Sequence, residues 1–343
     1  MIKNVTIRDV ARHAGVSAAA VSYVLNGKNK VSAATKNKIM RSIEELNYLP
    51  DFTAISLSKK QSKLIGLLKI HNQKSLEPVF HSNLYYNEYI SGVEHAARNF
   101  GYDILLGGIS EADECRQWVK KRNLDGLIVM NATGCIADEL AGILDIPCVF
   151  VDTYGEENST SLTLNIDDEE GGYLASHYLI SLGHQHIAMA VTSAIGSPIE
   201  EQRIKGYKRA LEESGMVFTD DLIFESGDNR PESSFKIGTG LLKTSIPVTA
   251  VFAASDTLCF GIMKIFSSAG RAIPRDLSII GFDDLNISQY FSPSLTTIRQ
   301  DIMAKGEKTS EMIFSAISGN PPASAKQVLP VELIIRESVV QVT

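Results

Sequence analysis

TIRDVARHAGVSAAAVSYVLNGKNKVSAATKNKIMRSIEELNYLP, residues 6–50, holds three short amphipathic segments with clear breaks between them. The first opens at Thr6 with Asp9 three places on, a variant of the reciprocal cap that satisfies orphan amides at a helix start. Ile7, Val10, Ala11 and Ala14 recur at helical spacing and give it one apolar face. Gly15 supplies a tight turn. The second segment starts at Ser17, a favoured N-cap, buries Val21, Val24 and Leu25, and ends at Asn26-Gly27. The third runs from Ser32 to about Leu46, with Ile39, Ile43 and Leu46 inward. Two short helices joined through a glycine, then a third, form a helix-turn-helix pattern. In that arrangement the second helix enters the major groove of DNA.

The local chemistry suits such a role. Ala18, Ala19 and Ala20 are small, so the backbone of the second helix can come close to base edges, and Tyr23 lies one turn on. Thr6, Ser17, Ser22, Asn26, Ser32 and Thr35 are short polar groups near helix starts, suited to phosphate oxygens. Lys28 and Lys30 sit in the loop that follows. Ser17 and Ser32 also read as plain helix caps. Charge points the same way: residues 1–63 carry eleven Lys/Arg against four Asp/Glu, a formal +7. The overall −7 therefore leaves −14 on the rest of the chain. A basic head on an acidic body implies a polyanionic partner for the head.

The 343 residues, 44% hydrophobic and 21% charged, are globular in character and long enough for two to three units of roughly 150 residues. Four cysteines without a CxxC pair argue against a zinc ribbon or dithiol site and fit a reduced, cytoplasmic setting. The N-terminus lacks the apolar run of a signal peptide. The most apolar stretch, 248–266, is broken by Ser255, Asp256 and Lys264, so it reads as a strand followed by a helix rather than a membrane span. Beyond residue 63, strands are expected at 64–70, 103–106, 126–130, 148–151, 187–191, 250–254 and 278–282, with amphipathic helices between them. This alternation predicts doubly wound parallel sheets, and the body is too long for one of them, so two lobes are expected.

Polar residues stand at strand carboxyl ends, where open α/β sheets bind ligands: Asp152, Ser255, Asp256 and Asp283. Carboxylates accept from hydroxyls and arginine donates to oxygens, so a polyhydroxylated small molecule suits them. Each also has a structural reading: Asp256 as a helix cap, Asp152 and Asp283 as turn formers. His184 and His186 could share a strand face, but they sit at an ordinary helix-to-strand junction, so no metal is expected. No GxSxG, P-loop or HExxH pattern is present, so neither a cofactor nor enzymatic chemistry is expected.

The 6–50 stretch resembles the DNA-binding headpiece of the LacI/GalR family of bacterial transcriptional regulators. NYLPDFTAISLSKK, residues 47–60, resembles that family's hinge helix, and the likeness continues through the chain. The resemblance implies a small all-α helix-turn-helix domain, 1–50, a hinge and linker, 51–62, and a periplasmic-binding-protein-like α/β body, 63–343, for effector binding and dimerisation. Lobe 1 would take about 63–165 and 296–324, lobe 2 about 166–295 and 325–340. It further implies a homodimer on operator DNA, with hinge segments at about 53–58 paired in the minor groove, Ala54 against the DNA and Leu57 wedged into a base step. Ala20 and Tyr23 stand where the family often has Thr and Arg. That removes a possible bidentate guanine contact and shifts readout toward thymine methyls, hinge and DNA shape.

The same resemblance implies effector contacts. EEQRIKGYKRAL, 200–211, places the effector-gripping arginine at Arg203. AASD supplies Ser255 and Asp256, GFDD supplies Asp283, and TTIRQD supplies Gln300, with Asp152 beside them. Ile70 and His71 would face the cleft mouth. Some members carry a sugar-stacking aromatic near position 229, where this chain has Asn229; Phe80 or Phe282 are the substitutes on offer. The expectation is a cytoplasmic homodimeric repressor controlled by a sugar or sugar derivative. A solute-binding protein with no DNA role is the alternative. A dimer is expected over a tetramer because only SVVQVT follows the last strand, too little for a heptad zipper.

Overall fold

Three helices build the N-terminal unit: α1 (Ile7–Ala14), α2 (Ala18–Leu25) and α3 (Ala33–Glu45). The Thr6 hydroxyl accepts the Asp9 amide, and the Asp9 carboxylate takes the Thr6 amide at 3.0 Å and its hydroxyl at 2.6 Å. Gly15, at φ 67°, ends α1 in the left-handed region that glycine tolerates. Ser17 Oγ accepts the Ala20 amide and Ser32 Oγ accepts the Thr35 amide, both at 3.2 Å. Val10, Ala11, Val21, Val24, Ile39 and Tyr48 form the buried core. His13 Nδ1 meets the Ser42 hydroxyl at 3.1 Å and ties α1 to α3.

This computed structural model describes residues 5–25, 27–49, 61–71, 80, 84–155, 161–228 and 230–342, and divides into two units, Met1–Lys63 and Leu64–Thr343. The larger unit is two six-stranded sheets. The first joins β1 (Leu64–Ile70), β2 (Asp103–Ile109), β3 (Gly126–Met130), β4 (Cys148–Val151), β5 (Leu162–Ile166) and β11 (Lys326–Leu329) in the order β11-β5-β4-β3-β1-β2. All its pairings are parallel. The second joins β6 (Ile187–Val191), β7 (Ile223–Glu225), β8 (Ala250–Ala253), β9 (Ser278–Asp283), β10 (Thr296–Arg299) and β12 (Glu332–Ile334) in the order β12-β10-β9-β8-β6-β7. It is parallel except where β12 runs against β10. Central strands such as β3 and β6 are buried along their whole length, because helices cover both faces.

The lobe boundaries expected from sequence shift at two places. β10 pairs with β9, Thr296 opposite Ile280, so the chain returns to lobe 1 at 300–301 and not at 296. β11 pairs with β5 in the first sheet, so the last crossing falls at 330–331 and not at 325. In each case the strand belongs to the sheet that completes its hydrogen bonds.

In lobe 1, α4 (Leu84–Asn99), α5 (Ala112–Arg122), α6 (Gly134–Ile143) and α11 (Ile302–Ile317) cover the sheet. In lobe 2, α7 (Asp168–Ser181), α8 (Pro198–Glu213), α9 (Phe235–Lys243) and α10 (Asp256–Ser268) do so. Two helix pairs meet backbone to backbone through glycines. A Cβ on Gly92 of α4 would strike the Met303 carbonyl of α11, and one on Gly306 would strike the Tyr89 carbonyl. In lobe 2, a Cβ on Gly172 of α7 would strike the Arg203 carbonyl of α8, and one on Gly206 the Glu169 carbonyl. The helices carrying Lys305 and Arg203 are thus each seated on a neighbour at the closest possible approach.

Candidate nucleic-acid interface and ligand cleft

In the small unit, α2 presents Ala19 to solvent, with the half-buried Tyr23 one turn on, on the same face. The Lys30 ammonium lies 5.3 Å from the Tyr23 ring centroid. The hydroxyls of Thr6, Ser17, Ser32 and Thr35 cluster at helix starts, where each already takes part in capping. Ala18 and Ser22 share one side of α2, both half-buried. The expected contacts Asn26, Ala54 and Leu57, and the hinge at 53–58, lie outside the described residues.

In the large unit, a cavity of about 250 Å³ opens between the lobes at the carboxyl ends of the strands. Asp152, Arg203, Ser255, Asp283 and Gln300 all line it, so five residues far apart in sequence meet there. A hydrogen-bonded relay crosses its floor. The Tyr85 hydroxyl donates to Asp152 Oδ2 at 2.8 Å. The Lys305 ammonium, almost wholly buried, donates to Asp152 Oδ1 and to Gln300 Oε1, the latter at 3.1 Å. Gln300 Nε2 in turn donates to Asp283 Oδ1 at 2.6 Å. Gln300 sits in a crossing segment, so the relay links the two lobes through the chain that joins them.

Asp152 and Asp283 hold φ of 55° and 120°, where non-glycine residues are strained by about 1–3 kcal/mol each. That backbone turns both carboxylates off their strands and into the cleft. Burial pushes the Asp283 carboxyl up to about 7, against the pull of Arg203, Gln300 and Lys305.

Arg203 comes from α8 and is held on three sides. Its Nε donates to Asp168 Oδ1 at 2.7 Å, Nη1 donates to the Ala254 carbonyl, and the guanidinium carbon lies 3.5 Å from the Phe282 ring centroid. Burial works against its charge, but the carboxylates around it, Asp168 first, outweigh burial and raise its pKa. Phe282 is therefore the platform beneath Arg203. Phe80 packs edge-on against Tyr86, with centroids 5.6 Å apart.

Three expected contacts are corrected. Asp256 does not line the cavity: it is fully buried, and its oxygens accept the Leu285 amide at 2.9 Å and the Ser288 and Thr297 hydroxyls at 2.6 Å. It fastens the loop after β9 to β10, while Ser255 caps α10 through the Leu258 amide. Burial, reinforced by Asp283, pushes the Asp256 carboxyl up to about 8. Ile70 is buried in the outer core of lobe 1, because strand alternation sends it to the side opposite Lys69. His71 continues the ladder through its amide to the Ile109 carbonyl and does not reach the cavity.

Sequence reading missed Lys69, Tyr85, Tyr86, Glu200 and Lys305. Glu200 accepts the Thr192 amide at 2.7 Å and the Ser193 amide at 3.1 Å, fixing the loop after β6 at the cavity wall. The Lys69 ammonium lies 4.3 Å from the Tyr86 ring centroid. A lysine inside the apolar run LIGLLKI was the available signal. His184 bonds Thr249 Oγ1 at 2.9 Å and the Val340 carbonyl oxygen at 3.0 Å, a structural junction. Among the described residues no group of His, Cys, Asp or Glu is arranged to hold a metal, and no helix is long and apolar enough to cross a membrane.

Residues 6–51 match the bacterial regulatory proteins of the lacI family, and residues 176–339 match a periplasmic binding protein-like domain. The HTH-type transcriptional repressor PurR of Vibrio vulnificus is 34% identical over 343 residues, covering 97% of this chain and 98% of that protein. Among solved structures, the lac repressor dimer bound to operator and the anti-inducer ONPF shares the fold at TM-score 0.85 and 27% identity, over 98% of this chain and 100% of that one. A complex of the transcriptional regulator CelR with cellobiose matches at TM-score 0.71 and 26% identity, with the same coverage.

Proposed function

The chain belongs to the LacI family of bacterial regulatory proteins, and from that premise we propose that it is a cytoplasmic homodimeric repressor whose hold on operator DNA is set by a small, sugar-like molecule bound between its lobes. Its relatives are DNA-binding transcriptional repressors, and the chain is a regulator, not an enzyme. The head reads DNA through α2, with Ala18, Ala19, Ser22 and Tyr23 toward the bases and Thr6, Ser17, Asn26, Lys30, Ser32 and Thr35 toward phosphate. Ala54 and Leu57 act at the hinge.

The observation that carries the effector half is the relay Asp152–Lys305–Gln300–Asp283 on the cavity floor. A polyol placed there meets carboxylates that accept its hydroxyls and the Arg203 guanidinium that donates to its oxygens. A ligand touching both lobes favours one lobe orientation over another, and only that differential affinity can change DNA binding. Solved neighbours were captured with cellobiose and with ribose, which supports the choice of class.

Operator binding, measured by gel shift with and without a panel of neutral sugars, sugar phosphates and sugar acids, tests the reading. Thermal unfolding is followed in parallel, since a ligand at 100 times its Kd adds about 2.7 kcal/mol of stability. At least one compound should both stabilise the protein and change operator affinity. DNA binding indifferent to every compound would refute the effector half, and absence of DNA binding in low salt would refute the whole.

A further inference from the structure

Asp283 is the last residue of β9, and the protein leaves its carboxylate only half satisfied in the cavity lining. Gln300 Nε2 reaches Oδ1 at 2.6 Å, while among the described residues Oδ2 has no hydrogen-bond partner. Asp283 is only 6% exposed. Every fully buried polar side-chain atom among the described residues has a partner, so what exposure Oδ2 keeps is to the cavity. No ion pair among the described residues includes Asp283 either. The cations nearest to it are tied to other acids, Lys305 to Asp152 and Arg203 to Asp168. Glu200 also lacks a cation, but the Thr192 and Ser193 amides and the Thr192 hydroxyl fill both its oxygens. A buried carboxylate stays charged only when it is both paired and hydrogen-bonded, and Asp283 lacks the pairing.

We propose that the effector supplies this counter-charge: the cleft takes a polyhydroxylated molecule bearing an ammonium, an amino sugar, with that group against Asp283 Oδ2. This rests on the reading of the cleft as the effector site. A neutral hydroxyl fills the hydrogen bond but strips water from the carboxylate without bringing charge, and an ammonium does both. Burial already holds the Asp283 carboxyl up at about 7, with Arg203, Gln300 and Lys305 drawing it down and Asp168 pushing it up. The backbone φ of 120° at Asp283 turns the group into the cleft at a cost in strain that a ligand contact explains. Ser197, whose hydroxyl makes no cap bond to α8, and Asn131 offer neutral partners for the ligand's hydroxyls on the same lining.

The test uses the full chain and matched sets by calorimetry: glucosamine against glucose and N-acetylglucosamine, and galactosamine against galactose and N-acetylgalactosamine. The acetylated member keeps the nitrogen and removes its charge. The wild type should bind at least one amino sugar about ten-fold or more tighter than both of its neutral counterparts at pH 7. That ratio should fall toward one by about pH 5.5, where the amine keeps its charge and Asp283 takes up a proton. Facing Asp283 are Arg203, Asp168, Lys305, Asp256 and the Tyr85 and Tyr86 hydroxyls. Asp283→Asn separates its titration from theirs: the ratio should be close to one at both pH values, with folding checked by circular dichroism. A wild type that prefers the neutral members, a preference unchanged at pH 5.5, or a folded Asp283→Asn protein that keeps the preference overturns the assignment. Neutral sugars that bind and alter operator affinity, with no amino sugar preferred, overturn it while the effector reading stands. Binding of no compound from either class overturns both.

Discussion

Replacing Lys305 with methionine isolates the buried ion pair on the cleft floor. Methionine fills the space of the lysine stem but leaves Asp152 with the Tyr85 hydroxyl and no cation. Both partners are at least nine-tenths buried, so solvent cannot replace the ammonium. Removing one member of such a pair costs about 3–5 kcal/mol. The expected penalty is therefore about 3–5 kcal/mol, read as a lower urea midpoint. Adding Asp152→Asn should recover all but about 1 kcal/mol, the share of the lost bond to Gln300. Asparagine suits the φ of 55° at position 152, so the second change brings no new strain. Trp118, the single tryptophan, packs on α5 against the outer core of lobe 1, so its fluorescence during urea unfolding reports the lobe that holds the pair. A penalty below about 1 kcal/mol, or a double variant no more stable than the single one, would each refute a buried, structurally required Lys305–Asp152 pair.

Other outcomes follow from the same geometry. Asp256 and Asp283 are both held above the ordinary carboxylate range, so between about pH 4 and 8 the folded state binds more protons than the unfolded one. Stability should thus fall as pH rises through 6 to 8, and Asp256→Asn should flatten the urea-midpoint profile in that window; parallel profiles would contradict the assignment. Thr6→Ala breaks the reciprocal cap of α1 and should cost the small unit about 1 kcal/mol, read as a lower melting temperature of the head by circular dichroism. Lys30→Ala should weaken binding to any DNA sequence and reduce the log–log salt slope by about one per head, whereas an unchanged slope would remove Lys30 from the phosphate contacts.

The helix-turn-helix head was legible because its caps and apolar spacing are local: Thr6 with Asp9, Ser17, Gly15 and Ser32 all do what their positions suggest. Seven strands were legible from apolar runs, whereas β5 and β10, inside their sheets but more polar, were not. The short edge strands β7 and β11, of three and four residues, carry too little pattern to announce themselves, and which sheet takes β10 depends on pairing partners far along the chain. In the cleft, strand-end aspartates gave the right neighbourhood but not the direction of each side chain. Asp256 turns inward because the Leu285 amide and two hydroxyls from distant segments converge on it, while its neighbour Ser255 takes the cap. Lys305 escaped notice because nothing local distinguishes a lysine that folds inward to meet Asp152, 153 positions away, from one that faces water.

The glycine contacts under α8 and α11 leave neither lobe any slack. With Gly172 and Gly206 beneath Arg203, and Gly92 and Gly306 beside Lys305, the two helices that bring cations to the cleft lie so close to their neighbours that no side chain beyond a hydrogen fits at the contact. The crossing through Gln300 is the chain segment that joins the lobes and also the residue that bonds both Lys305 and Asp283, so a molecule seated in the cleft would rest against the link between them.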